Sequence, residues 1–329
     1  MTEFDKNIYI EVAYHLYKHN AGEDLEKMVE TSDEWIFTRT GIRERRLADQ
    51  DEATSDMAYQ ASLVALDDAK VTPGELDLLV VATVTPDTPF PATACHLQRH
   101  LGAWQAAAFD LSAACSGFIY GLSVAEQYLL TGRYRTILVV GAEVLSRIID
   151  WKDRNTCVLF ADGAGATVLR ASDDPSRGIL STHLHADGGM ADHLIIQGGG
   201  SRMPMSEEVL RNRLNYIQMR GNETFKLAVR TMSRAALEVL DHHGYKPTDV
   251  DLFIPHQANS RIIDAIAKRL GIQREKVFIN LDRLGNTSAA SIPIALDEAR
   301  RSGRVNRDDL VLLVGMGAGL TWGSTLIRW

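Results

Sequence analysis

The chain has 329 residues, 45% hydrophobic and 24% charged, with a formal net charge of -8; that is room for one large or two fused globular units. No extended surplus of Lys and Arg is present, which excludes general nucleic-acid binding, and the longest apolar stretches fall short of the roughly 20 residues of a membrane span. The opening MTEFDKNIYIEVAYHLYKHN has no cationic head followed by an apolar run, so no secretory leader is expected. Short β-branched runs alternate with helical patterns. In chain order they predict a helix over 54–69, a strand over 78–82, a helix over 116–130 and strands over 136–140 and 166–169. A helix over 223–242, a strand over 252–254, helices over 260–270 and 291–301 and a strand over 310–314 complete the set. Gly132, Gly271 and Gly303 mark helix ends. Buried strands joined by helical crossovers predict an α/β protein with helices covering both faces of its sheets.

An internal repeat sharpens this. ALDDAKVTPGELDLLVVAT (65–83) resembles VLDHHGYKPTDVDLFIPHQ (239–257), with Asp77 opposite Asp251, an offset of 251 − 77 = 174. ILVVGAE (137–143) resembles VLLVGMG (311–317), with Gly141 opposite Gly315 at the same offset. Two matches in one order at one spacing predict a duplicated α/β unit, with halves 1–172 and 173–329. The loop around Cys115 then has its counterpart in 285–292, and a cleft between the halves draws groups from both.

Three cysteines, Cys95, Cys115 and Cys157, form no CxxC and no disulfide framework, which fits a reducing cytoplasm. Cys115 follows an apolar run and a turn of small residues, and a helix is expected to begin at about that position. Unpaired amides and the positive dipole end there favour thiolate. Cys95 and Cys157 lack this setting and are read as core. His256 follows a predicted strand and precedes a helix; Asn286 lies in a polar turn entering a helix, where Asn is ordinarily a cap or turn residue. Together they offer a nucleophile and two hydrogen-bond donors on strand-to-helix loops.

DLEKMVETSDEWIFTRTGIRERR (24–46), AACSGF (113–118), ADGAGA (161–166), STHLHADG (181–188), GNETFKLAV (221–229), PHQAN (255–259), GNTSAASIP (285–293) and LTWGS (320–324) together resemble the β-ketoacyl-acyl carrier protein synthase III family, the initiating condensing enzymes of fatty-acid synthesis. The resemblance implies a thiolase-like fold layered αβαβα. It implies a decarboxylative Claisen condensation in which Cys115 takes an acyl group from acyl-CoA. His256 and Asn286 then stabilise the enolate formed when malonyl carried on acyl carrier protein loses carbon dioxide. The acyl oxygen is expected between the amides of Cys115 and Ala318. Trp35, Arg39, Arg154, Gly221 and Asn259 are implied as CoA contacts, and Phe90 and Met316 as acyl-pocket residues, Phe90 by reaching into the partner of a homodimer. Lys226, Arg261, Lys268 and Arg269 are implied as the landing site of the acidic carrier; read alone, they are ordinary surface charge. No cofactor is implied, acyl-CoA and the malonyl carrier being substrates, and STHLHADG carries no metal in the family.

The glycine-rich loop 315–319 has no second Cys, unlike degradative thiolases, and the chain has His256 and Asn286 where elongating synthases use two His. The chain departs from the family pattern in three places. Tyr17 stands where a proline is expected, Ala161 replaces a glycine, and the loop reads Gly315-Met316-Gly317-Ala318-Gly319, with Met for an aromatic and Ala for a glycine. The Ala methyl is strained if that position needs positive φ. This loop is the one feature favouring an alternative, a specialised condensing enzyme or acyltransferase of secondary metabolism with a different starter.

Overall fold

The computed structural model describes residues 7–15, 19–172, 174 and 176–329; Tyr17 lies outside them. Its main elements are β1 (Asn7–His15), α1 (Asp33–Thr40), α2 (Thr54–Ala69), β2 (Leu78–Ala82), α3 (Thr93–Leu101), β3 (Ala107–Leu111), α4 (Gly117–Leu130), β4 (Thr136–Glu143) and β5 (Gly163–Ser172). The second part of the chain adds β6 (Gly178–Ala186), α5 (Gly221–His242), β7 (Leu252–Pro255), α6 (Ser260–Leu270), α7 (Ser291–Arg301), β8 (Leu310–Gly317) and β9 (Thr321–Arg328).

Two sheets form. The first has order β1-β5-β4-β2-β3 and the second β7-β8-β9-β6. In each, a parallel pair (β2 with β4, β7 with β8) is followed by an antiparallel partner. The nine residues of β1 pair along β5 in continuous register, from Asn7 opposite Ser172 to His15 opposite Ala164.

The pleat explains the layers, because successive side chains point to opposite faces. Leu78 and Val80 of β2, and Val311 and Leu313 of β8, share one core with Phe118, Ile119 and Leu122 of α4 and with Ile292, Ala295 and Leu296 of α7. The intervening Leu79 and Val81 face α2 and α3 instead. Leu310, Leu312 and Val314 face α5 and α6. The order is therefore helices, sheet, the central pair α4 and α7, sheet, helices: five layers, αβαβα, of the thiolase-like kind. Strands buried on both faces need apolar residues throughout, and Leu78–Ala82 is buried at all five positions. Each fully buried Leu, Ile or Phe contributes about 1.5–3 kcal/mol.

Equivalent positions do equivalent work. The Asp77 amide donates to Thr136 O (2.9 Å), and its carboxylate accepts the Thr136 amide (3.0 Å). Asp251, 174 residues on, donates its amide to Leu310 O (3.0 Å) and accepts the Leu310 amide (2.9 Å). Each aspartate ties the start of one parallel strand to the next. Gly132, Gly271 and Gly303 close their helices at φ 68°, 73° and 70°.

Several expectations need adjustment, four of them strands that run longer than expected, at Thr136–Glu143, Gly163–Ser172, Leu252–Pro255 and Leu310–Gly317. Cys115 lies in a single 3-10 turn, Ala114–Ser116, just ahead of α4 rather than in its first turn. α5 starts at Gly221, two residues before the expected Glu223. Cys157 is buried, but Cys95 on α3 is only half-buried.

Candidate functional site

Cys115, His256 and Asn286 line one cavity of about 860 Å³ between the two sheets' loops. Cys115 stands on the turn between β3 and α4, His256 just after β7, and Asn286 on the turn before α7. The two turns mirror each other: Ala114 has φ 46° and Ser288, 174 residues later, φ 49°. Positive φ at a residue with a side chain costs energy and persists only where surrounding contacts fix it. Gly317 brings the 315–319 loop onto this turn, since a Cβ there would lie 2.6 Å from Ala113 O and from the Cys115 amide. Ala318 is not among the residues with positive φ, so its methyl carries no left-handed strain.

His256 is buried, and its amide donates to Val314 O (2.8 Å). Its Nδ1 lies 2.7 Å from Ser291 Oγ. That hydroxyl also accepts the Gln257 amide (3.4 Å), so its own proton is free for Nδ1. The imidazole proton is thereby assigned to Nε2. Burial pushes the imidazole down to about 3, which keeps it neutral. Asn286 is pinned through its backbone: its amide donates to Leu159 O and its carbonyl accepts the Ala161 amide, both at 2.9 Å. Its Oδ1 accepts the Ser288 amide (2.9 Å), which leaves the Nδ2 protons as its donors.

The expected thiolate at Cys115 is corrected. Burial, with the carboxyl of Glu143 nearby, pushes the thiol up to about 12, against a lowering hydrogen bond from Ser288. Desolvation of the charged sulfur outweighs the favourable helix start. Glu143 and Ser288 were not singled out from the sequence. Glu143 is a charged residue at the end of an otherwise apolar strand, and that is the signal that could have found it.

The cavity mouth carries Trp35, Arg39, Arg154, Gly221, Asn259, Lys226 and Arg261, and its inner wall Met316. Two cations lie against the Trp35 ring: the Arg39 guanidinium is 4.7 Å and that of Arg154 5.0 Å from its centroid. Asn259 caps α6, accepting the Arg261 amide (2.9 Å), and donates to Arg39 O (3.1 Å), joining two sides of the mouth. Met316 receives a hydrogen bond from Thr231 Oγ1 at its sulfur (3.2 Å). α6 buries Ile262, Ile263, Ile266 and Leu270 and leaves Lys268 and Arg269 exposed in its last turn, away from the cavity. Phe90 is 85% exposed and outside its own chain's cavity. His183 and His185 share the carboxylate of Glu238, at 3.2 and 2.8 Å. Among the described residues no group of three or more His, Cys, Asp or Glu is placed to hold a metal ion, and no helix is long and apolar enough to cross a membrane.

The family model described as 3-Oxoacyl-[acyl-carrier-protein (ACP)] synthase III matches residues 109–188, and its C-terminal companion residues 240–329. A β-ketoacyl-[acyl-carrier-protein] synthase III of Caldanaerobacter subterraneus subsp. tengcongensis is 58% identical over 93% of this chain and 92% of its own. One from Desulfitobacterium hafniense is 54% identical over the same shares. The crystal structure of a 3-oxoacyl-[acyl-carrier-protein] synthase III from Aquifex aeolicus, 49% identical, covers 98% of this chain and 100% of that one with a TM-score of 0.91. The specialised alternative is not favoured by these relatives. With the cavity and the five layers in place, the chain belongs to the β-ketoacyl-[acyl-carrier-protein] synthase III family of condensing acyltransferases.

Proposed function

We propose that the chain joins an acyl-CoA starter to malonyl carried on acyl carrier protein, by decarboxylative Claisen condensation through an acyl-Cys115 intermediate, to initiate fatty-acid synthesis. The observation that carries this is the convergence of Cys115, His256 and Asn286 on one cavity whose mouth holds Trp35 and four cationic side chains, Arg39, Arg154, Lys226 and Arg261. Cys115 attacks the starter thioester, and CoA leaves. The acyl oxygen takes the amides of Cys115 and Ala318. Malonyl then enters by the same mouth. As carbon dioxide departs, His256 Nε2–H and Asn286 Nδ2–H donate to the thioester oxygen that becomes the enolate. Such a fixed donor contributes about 2.7–4 kcal/mol. A neutral imidazole suits this role, since it donates a proton without holding a positive charge in a buried site. The carbanion attacks acyl-Cys115 and the β-ketoacyl product leaves on the carrier.

Trp35, Arg39, Arg154, Gly221 and Asn259 are assigned to CoA, the aromatic face and guanidinium groups suiting a base and phosphates. Lys226, Arg261, Lys268 and Arg269 are assigned to the acidic carrier. Met316 bounds the acyl chain, and Phe90, exposed on its own chain, completes the pocket of a second copy in a homodimer. The chain is read as two related halves, 1–172 and 173–329, working in the cytoplasm without a cofactor. Incubation with acetyl-CoA and with longer and branched acyl-CoAs, followed by intact mass and peptide mapping, tests this. An acyl adduct on Cys115 is expected, absent in Cys115→Ala; a fully condensing Cys115→Ala chain would overturn the mechanism.

A further inference from the structure

A second cavity, of about 530 Å³, lies beside the catalytic one. Met190, Leu227, Leu320 and Trp322 form its apolar walls, and the exposed Arg230 and Arg234 stand at its rim. No step of the condensation above uses it. The two cavities share a floor and a roof. Met316 and Trp322 are directly opposed residues of β8 and β9, so their side chains stand side by side on the face turned to α5. Met316 walls the catalytic cavity and Trp322 the second one. Above them, α5 gives Phe225, Ala228 and Met232 to the first, and Leu227 and Thr231 to the second.

The boundary between them is the contact of Met316 with Thr231. Thr231 Oγ1 lies 3.2 Å from the Met316 sulfur, and both side chains are buried. The same hydroxyl reaches back one turn to Leu227 O (2.8 Å), so its proton is shared between the two acceptors. Thr231 is therefore a fixed post, branched at Cβ and bonded to its own helix. Met316 is the opposite kind of side chain. It is unbranched, with three rotatable bonds, and repacks when a contact is released.

We propose that Thr231 holds Met316 in place as the partition between the two cavities, and thereby sets the limit on starter chain length. This rests on the condensing reading above, in which the starter hangs from Cys115 in the cavity that Met316 walls. While the hydroxyl–sulfur contact stands, an acyl tail stops at Met316. When it is released, Met316 yields and the tail continues between Leu227, Leu320 and Trp322. The starters that the partition turns away are straight acyl chains of medium length. Their methylenes would gain from those apolar walls, about fourfold in affinity for each one buried. Thr231 is a positioning residue, since it touches Met316 and not the acyl chain.

The test is single-turnover acylation of Cys115 by acetyl-CoA and by octanoyl-CoA, read by intact mass as the octanoyl-to-acetyl rate ratio. Wild type should favour acetyl. Thr231→Val deletes the hydroxyl at nearly constant shape and should raise the ratio about two- to tenfold, the worth of one hydrogen bond. Thr231→Ser keeps the hydroxyl and should keep the wild-type ratio, a rescue that a merely space-filling role would not give. Leu227→Trp fills the second cavity. Alone it should leave acetyl transfer unchanged, and combined with Thr231→Val it should cancel the gain. A ratio that Thr231→Val does not move, or a gain that survives Leu227→Trp, would overturn the partition alone. A wild-type chain that no acyl-CoA acylates on Cys115 would overturn the condensing reading and the partition with it. Should Thr231→Val not fold, Thr231→Ala decides by the same ratio.

Discussion

Ser291→Ala separates the two chemical steps. The hydroxyl lies 2.7 Å from His256 Nδ1 in a buried pair, and its removal leaves that nitrogen without a donor. An unsatisfied buried acceptor costs about 1–3 kcal/mol, roughly 5- to 150-fold in rate at 1.4 kcal/mol per factor of ten. The loss falls on the tautomer carrying its proton on Nε2, hence on the enolate and not on attack by Cys115. It should also stay below the effect of His256→Ala, which deletes the donor itself and costs about 10²–10³-fold. The assay is carbon dioxide release from malonyl carried on acyl carrier protein, run beside acyl-adduct formation from acetyl-CoA. Decarboxylation should drop within the stated range while acylation is unchanged. Equal losses in both steps, or no loss of decarboxylation, would refute the assignment of the imidazole proton.

His256 also links stability to pH. Buried, it stays neutral down to about 3, whereas the unfolded imidazole takes its proton near 6.5. The unfolded chain binds more protons between those values, so the contribution is full above 6.5 and is lost as pH falls towards 3. His256→Gln should therefore flatten the fall of unfolding free energy with acid by up to about 1.4 kcal/mol per pH unit in that window; denaturant melts at fixed protein concentration measure it. Gly317→Ala places a methyl 2.6 Å from the backbone at Ala113 and Cys115. It should lower thermal stability by about 1–3 kcal/mol and abolish the acyl adduct; Ala318→Gly, with no left-handed strain to relieve, should change stability by less than about 1 kcal/mol. A base stacked between Trp35 and Arg154 needs about 7 Å, two contacts of about 3.5 Å, against the 5.0 Å present. Arg154 must then swing off the ring, releasing its bond to Glu30 O (2.8 Å). Arg154→Ala should raise the acyl-CoA KM by about two- to fivefold with kcat retained, a surface cation–π contact being about 0.5–1 kcal/mol; steady-state kinetics decide.

Much of the architecture was legible in the chain. Helices over 54–69, 260–270 and 291–301 and the strand over 78–82 stand at the expected residues, because apolar periodicity and a glycine stop are local signals. Cys115, His256 and Asn286 could be picked out through the resemblance, and they line one cavity. The protonation states could not be read from the sequence. A thiol at a helix start reads as a thiolate, yet burial raises it, and a histidine at a strand end gives no sign that Ser291 will fix its tautomer. Glu143 and Ser288 are 145 residues apart, and either alone is an unremarkable polar residue. Local periodicity and motif spacing determined the elements and the candidate nucleophile. Only the tertiary structure decided which groups meet in a dry cleft, because desolvation and hydrogen bonding act through space and leave no periodic trace along the chain.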